Sequence, residues 1–423
     1  MGTATISRTS AAANADADLQ LYIASVSAVQ SWVESHEFRG YEPFDGLSSP
    51  LRALTFRNLL AERILQQAVR QSPINIRPMI GIKPLDSTKG RGLMAWGYLL
   101  LRRATGNDEY WAKAVDQLHW LDAHRSSKFE KHSWANFFDF SSRGGSYSKD
   151  DSIIVWTSLI AQAFLEAFEQ SKDQWYLDIA GSACEWIMAL PRERTEQGDC
   201  LSYFMHEQES IHNANMLGAA ALARASRHLG RQDYEDVARA AMRYSCLRMR
   251  EDGSWWYAEG SQWEWIDNFH TGYNLDSLKC YIEYTRDTEF SDQLKRGLRY
   301  YIATFFEPSG RPKYYHNRPY PIDIQCAAQA IDTLAYFAAD DPASLPLSMK
   351  VADWTIQNMQ DHRGYFHYRQ YPLGVAAKTP MLHWGQATMF KGLANLVLRL
   401  SGERWKPSEK AGQQWSALGQ PAR

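Results

Sequence analysis

From Ser87 to the end of the chain, apolar and small residues recur at helical spacing, interrupted by polar turns at a regular interval of about 55–61 residues. Six segments open on polar residues and continue into a helix rich in Ala, Gly and Ser. They are STKGRGLMAWGYLLLRRATG from Ser87, KDDSIIVWTSLIAQAFLEAF from Lys149, IHNANMLGAAALARASRHLG from Ile211, IDNFHTGYNLDSLKCYIEYT from Ile266, PIDIQCAAQAIDTLAYFAAD from Pro321 and MLHWGQATMFKGLANLVLRL from Met381. After each of the first five comes a short turn and a second helix of broader amphipathic pattern, near Tyr110–Leu121, Trp175–Leu190, Tyr234–Met249, Phe290–Phe305 and Leu347–Met359. The sixth has no such follower. A helix predicted at Leu19–Glu34 can supply the missing partner and close a ring of six inner and about six outer helices. One more helix is predicted between the turn-rich Gly40–Pro50 and the stop at Ser72 and Pro73. It spans Leu51–Gln71, with Leu54, Leu59, Leu60, Ile64, Leu65 and Val69 at near-helical spacing.

A second motif shares the period. Aromatic pieces follow the outer helices: WANFFDF at Trp134, LSYFMHEQE at Leu201, GSWWYAEG at Gly253, PKYYHNRPY at Pro312 and GYFHYRQYP at Gly364. Repetition places these short strands or turns at one rim, together with the polar starts of the inner helices. One mouth lined by aromatic and charged side chains is the expected consequence.

Composition narrows the partners. The 423 residues are 45% hydrophobic, enough for a large core, and the formal charge of -2 offers no basic surface for nucleic acid. No segment reaches the roughly 18 apolar residues of a membrane span, and the N-terminal residues lack the apolar core of a secretory signal, so a cytoplasmic protein is expected. Cys184, Cys200, Cys246, Cys280 and Cys326 are scattered and odd in number, suggesting neither disulfides nor a metal site. All but Cys200 lie in helical patterns and are predicted as buried thiols. Residues 1–17 are expected to be flexible, 18–402 to form one domain, and 403–423 to form a tail. Neither cofactor nor metal is expected, and the oligomeric state is left open.

The repeat resembles the six-hairpin (α/α)6 toroid superfamily, whose members include glycoside hydrolases, sugar epimerases and, as incomplete toroids, polysaccharide lyases. The resemblance runs from Leu19 to Leu400 and rests on period and composition. Bacterial members encoded with polysaccharide-biosynthesis genes are the most similar in character. The resemblance implies an all-α toroid acting on a carbohydrate.

Candidate chemistry concentrates in DGSWWYAEGSQWEWIDNFHTGYN, from Asp252. Flat rings beside polar groups suit sugars, so Trp255, Trp256, Trp263 and Trp265 are predicted to stack on substrate, although large rings also seal helical domains. Hydrolysis needs an acid and a base, and Asp151 and Asp267 are the carboxylates favoured for it, with Asp150 and Asp323 beside them. An Asp at a helix start can equally be a cap, the first reading for Asp323. Asn268, His270 and Tyr273 are similar to the Asn, His and Tyr of toroid lyases, implying a uronate lyase or C5-epimerase as the alternative, with Arg91 or Arg318 as its arginine. The superfamily's sugar 2-epimerases use paired histidines from different inner helices, which draws attention to His212, His270 and His383. Acid/base glycoside hydrolysis is the leading expectation, with Asp151, Asp267, His270 and Tyr273 catalytic and Arg91, His212, Asn268, His383 and Trp384 binding substrate. A non-catalytic polysaccharide-binding or assembly factor would keep the aromatic rim without a poised carboxylate.

Overall fold

Residues 3–142, 145–206 and 208–404 are described by a computed structural model, with side chains from Ala17 onward. Six helices form an inner ring: α3 (Thr88–Thr105), α5 (Ile154–Ser171), α7 (His212–Leu229), α9 (Asn268–Thr285), α11 (Ile324–Tyr336) and α13 (Thr388–Ser401). Each packs on the next, and α13 packs back on α3. Outside them lie α4 (Glu109–Ala123), α6 (Gln174–Met188), α8 (Gln232–Leu247), α10 (Ser291–Thr304), α12 (Ser344–Met359) and α1 (Thr3–Ser35). The thirteenth helix, α2 (Leu59–Gln71), belongs to neither layer.

Composition explains which helix goes where. A helix enclosed on every side must be small or apolar all round, and α7 is buried at every residue from His212 to Ser226. Outer helix α10 buries only Gly297, Leu298 and Tyr301. The inner helices approach closely: a Cβ on Gly97 of α3 would lie 2.5 Å from the Phe390 ring of α13, and one on Gly392 would lie 2.7 Å from the Ala328 carbonyl of α11. Four inner helices, α3, α5, α7 and α9, have 18 residues each, and all four end in a left-handed residue: Gly106, Lys172, Gly230 or Arg286. Equal lengths bring their polar starts to a common level.

The predicted closure by the N-terminal helix is present, and two glycines display it. Gly310, after α10, has φ +88° and sits where a Cβ would meet the Lys350 carbonyl of α12 at 2.4 Å. Gly364, after α12, has φ +100° and stands in the same relation to the Ala28 carbonyl of α1, at 2.5 Å. A side chain is excluded at both by conformation and by space. Thus α1 occupies the outer position that follows α12.

Three local readings change. First, Leu51–Gln71 is not one helix. A 3-10 segment, Pro50–Thr55, precedes Phe56 and Arg57, both at positive φ, and Asn58 then caps α2 by accepting from the Ala61 N–H. Second, the apolar stripe of α2 does not face the core. Leu60 and Ile64 are 65% and 62% exposed, whereas Glu62, Gln66 and Val69 are buried. The inward face is held by polar bonds instead: Glu62 accepts from Arg52, Ser141 and Ser146, and Gln66 exchanges bonds with the Ser141 backbone. Third, α5 starts at Ile154, so the acids of KDDS precede the helix rather than opening it.

The rim pieces form short antiparallel pairs, Phe140–Ser141 with Ser146–Tyr147 and Arg192–Thr195 with Gly198–Leu201, plus a three-stranded set built from 322–323, 369–370 and 376–377. All five cysteines are buried and free. Among the described residues no helix is long and apolar enough to cross a membrane, and no cluster of His, Cys, Asp or Glu is placed to hold a metal ion. The expected tail lies almost wholly outside the described residues, as do the side chains of most of the expected N-terminal segment.

Candidate active site

The rim encloses a cavity of about 590 Å³, lined by the inner-helix starts, the aromatic pieces and α2. Two histidines on different inner helices line it, and both are held in the same way.

His270 lies in the first turn of α9. Asp267 caps that helix by accepting from the His270 backbone N–H at 3.0 Å, and its second oxygen lies 2.7 Å from His270 Nδ1. Trp265 Nε1 also donates to it, at 3.0 Å. The Trp265 ring stacks on Tyr257 at 4.4 Å, and Tyr257 in turn lies 4.6 Å from the His270 ring. One buried carboxylate therefore caps a helix, orients an imidazole and anchors a wall of the cavity.

His383 sits on a π-helical turn, Leu382–Ala387, that leads into α13. Such turns widen a helix and recur at functional sites. Glu42 accepts from the His383 backbone N–H at 2.7 Å and lies 2.8 Å from its Nδ1, with both side chains about 3% exposed. Ser87, the cap of α3, stands 3.3 Å from the same nitrogen. Burial holds the imidazole below its ordinary pKa, while Glu42 pulls it upward and Lys89 opposes Glu42. With Nδ1 engaged on each ring, the Nε2 atoms of His270 and His383 make no hydrogen bond among the described residues, and both rings line the cavity.

Lys89 and Tyr273 line the same cavity. Lys89 is buried without an ion pair among the described residues, its Nζ 3.3 Å from Tyr273 Oη and 5.1 Å from the Trp156 ring centre. Burial pushes its ammonium down to about 8, against the pull of Glu42. Burial raises the Tyr273 phenol, so it stays protonated. Its oxygen also accepts from Gln325 Nε2 at 3.1 Å, which leaves the phenolic proton for a ligand.

Asp323 orders the wall that Trp384 forms. It caps α11 through the Gln325 N–H, accepts from Trp384 Nε1 at 2.8 Å and pairs with the buried Arg369 guanidinium. The Trp384 ring is thereby fixed edge-on to Phe269 and Phe44.

No protein-family model and no curated protein matches the sequence. Solved structures do match. The cellobiose 2-epimerase of Bacillus thermoamylovorans B4167 superposes with a TM-score of 0.60 at 13% identity, over 74% of this chain and 87% of that one. A polysaccharide lyase matches with a TM-score of 0.55 at 13% identity, over 73% and 89%. The GH76 α-mannanase of Bacteroides thetaiotaomicron matches with 0.56 at 13%, over 73% and 85%. The fold is the (α/α)6 toroid. The three structures named are an epimerase, a lyase and a hydrolase, so the toroid by itself selects no reaction.

Of the residues singled out from sequence, the toroid brings Asp267, His270, Tyr273, Trp263, Trp265, Arg318, His383 and Trp384 to the cavity. Asp323 stands behind Trp384. The others lie elsewhere. Asp151 accepts from Lys128 Nζ at 2.7 Å and from the Ser148 N–H at 2.9 Å, in a turn outside the lining, and neighbouring Asp150 is exposed. Arg91 pairs with Asp86 at 2.8 Å beneath the Trp120 ring. Both nitrogens of His212 are occupied, by Ser245 at 3.1 Å and Glu259 at 2.9 Å. Trp255 is buried and donates to the Ser245 carbonyl, and Trp256 lies under Arg250. Asn268 accepts from Tyr301 in the core.

Sequence reasoning passed over Lys89, Glu42, Arg63 and Arg70. Lys89 carried a usable signal, being a cation in the first turn of an inner helix, at the polar entry expected to face the rim. Glu42 carried none, because its role exists only where its turn meets the far end of the chain, 341 residues away.

Proposed function

We propose that this protein is a sugar epimerase or isomerase that moves a proton at a carbon adjacent to a carbonyl. The observation that carries this reading is the pair of carboxylate-backed histidines facing one cavity from different inner helices. One imidazole takes the C–H proton through Nε2, and its carboxylate partner steadies the imidazolium that forms. The electron pair moves onto the carbonyl oxygen, giving an enediolate that the Lys89 ammonium and the Tyr273 hydroxyl are placed to stabilise. The second histidine returns a proton to the opposite face for epimerisation, or to the neighbouring carbon for isomerisation, in which case the hydroxyl proton also passes from one oxygen of the enediolate to the other as the new carbonyl forms. A lowered imidazole pKa keeps His383 in the base form at neutral pH, and the aromatic walls suit a sugar ring or chain. The epimerase among the similar structures supports the same class.

The leading expectation from sequence, hydrolysis by Asp151 and Asp267, finds less support. Asp267 already accepts three N–H donors, and Asp151 is held by Lys128 outside the cavity. The test is proton NMR of candidate sugars incubated with the protein in deuterium oxide. Loss of one C–H signal together with a new epimer or ketose is expected. His270→Asn and His383→Asn should each stop interconversion, one of them retaining exchange of a single epimer. New reducing ends without any C–H exchange would overturn the proposal.

A further inference from the structure

Elsewhere in the molecule buried arginines are paired. Arg77 meets Asp45 at 2.9 Å, and Arg224 meets Glu166 at 2.8 Å. Such pairing is the rule, because a cation withdrawn from water is costly without a counter-charge. Lys89 breaks the rule, and it does not stand by itself. Among the described residues, buried Lys89 and Arg369, half-buried Arg63 and Arg70 and exposed Arg318 line the cavity, against the carboxylates of Asp267 and Glu209. Of these five cations only Arg369 has a carboxylate within 4.0 Å among the described residues. Both lining carboxylates are engaged, Asp267 by His270 and Trp265, and Glu209 by the Tyr147 hydroxyl at 2.8 Å.

Two of the unpaired cations come from α2, the helix outside the two-layer ring. Arg63, Gln67 and Arg70 stand at i, i+4 and i+7 on one face, and all three line the cavity. That presentation follows from the inverted packing of α2, since the polar bonds of Glu62 and Gln66 fix its rotation. Arg70 is half-buried, its Nε donating to Tyr368 Oη at 3.2 Å and its guanidinium plane lying 4.4 Å from the Phe44 ring centre. Stacked and tethered at one nitrogen, the group keeps its two terminal nitrogens for a planar, two-pronged acceptor.

We infer that the cavity's sugar carries an anionic group, the carboxylate of a uronic acid or the phosphate of a phosphorylated sugar, held by Arg70 and Arg63 of α2. The inference rests on the carbohydrate reading above but not on its proton-transfer step.

Tryptophan fluorescence titrations separate the two. The Trp156, Trp263, Trp265 and Trp384 rings line the cavity and report occupancy. The probes are D-glucuronate, D-glucose 6-phosphate and D-glucose, with trigalacturonate and maltotriose as longer anionic and neutral counterparts. An anionic probe should bind about tenfold or more tighter than its neutral counterpart, and added salt should weaken it. Arg70→Gln should remove most of that preference and leave neutral binding unchanged, Arg63→Gln should do so in part, and Arg70→Lys should restore some of it. Selectivity for the carboxylates identifies a uronic acid, and selectivity for the phosphate identifies a phosphorylated sugar. Equal affinity for charged and neutral probes, absence of binding by all five, or an equal effect of Arg70→Gln on both kinds would overturn the inference. Anion-selective binding without C–H exchange would instead leave this inference standing and remove the epimerase reading.

Discussion

Glu42→Gln isolates the electrostatic part of the His383 site while preserving its shape. The Gln oxygen can accept the same two bonds, from the His383 backbone and from Nδ1, that Glu42 accepts at 2.7 and 2.8 Å. The new amide nitrogen falls where the second carboxylate oxygen now has no partner. What disappears is a negative charge beside the imidazolium formed during proton abstraction. At a charge separation of ~4 Å and an effective dielectric of ~20, that charge is worth about 4 kcal/mol. The amide dipole retains ~1 kcal/mol of it. The remaining ~3 kcal/mol corresponds to a fall in kcat on the order of 100-fold. The pH profile supplies a second signature. Burial already lowers the His383 pKa and Glu42 is the main influence raising it, so the acid limb of kcat/KM should move to lower pH as the plateau falls. Deuterium wash-in followed by NMR measures both, and circular dichroism checks the fold. A folded variant with full activity, or an acid limb that moves up, would refute the reasoning.

Lys89→Met should cut kcat/KM by about 100-fold, from loss of enediolate stabilisation, yet raise the melting temperature at neutral pH. The folded-state pKa of Lys89 is lowered from 10.5 to about 8, so between these values the unfolded chain binds more protons and wild-type stability rises with pH, by up to ~3 kcal/mol. The variant's advantage should therefore shrink as calorimetry moves from pH 8 toward pH 10.5; a constant difference would exclude burial of the charge as its cause. Asp323→Ala should cost ~3–5 kcal/mol in urea unfolding by stranding the buried Arg369 charge, with Asp323→Ala/Arg369→Met recovering most of the loss. Gly392→Ala should cost ~1–3 kcal/mol, since its Cβ would press on the Ala328 carbonyl, which is backbone and yields little. An unchanged unfolding midpoint in either case would contradict the packing described.

The toroid was legible because its repeat is written in residue size. A helix such as α7, whose stretch Met216–Ala223 is Ala, Gly, Leu and Met on every side, has no face for water there, so six such helices at a regular interval must share an interior. The reading of α2 failed for the complementary reason. Periodicity in Leu54, Leu60 and Ile64 announces an apolar stripe but carries no information on what covers it, and here Ser141, Ser146 and Arg52 bind the opposite, polar face.

The same division runs through the site. Asp151, Asp267 and Asp323 were alike as acids near helix starts, and the chain alone favoured the first two for catalysis and the third for capping without any contact to decide between the roles. Helix composition, repeat length and the one-sided rim were determined by the sequence, because local periodicity and residue volume decide them. Pairing Glu42 with His383, leaving Lys89 and Arg70 without an ion pair among the described residues, and drawing Asp151 away to Lys128 were decided only by the tertiary structure. Those are contacts between segments far apart in the chain, and their energies depend on burial and distance, which no stretch of sequence contains.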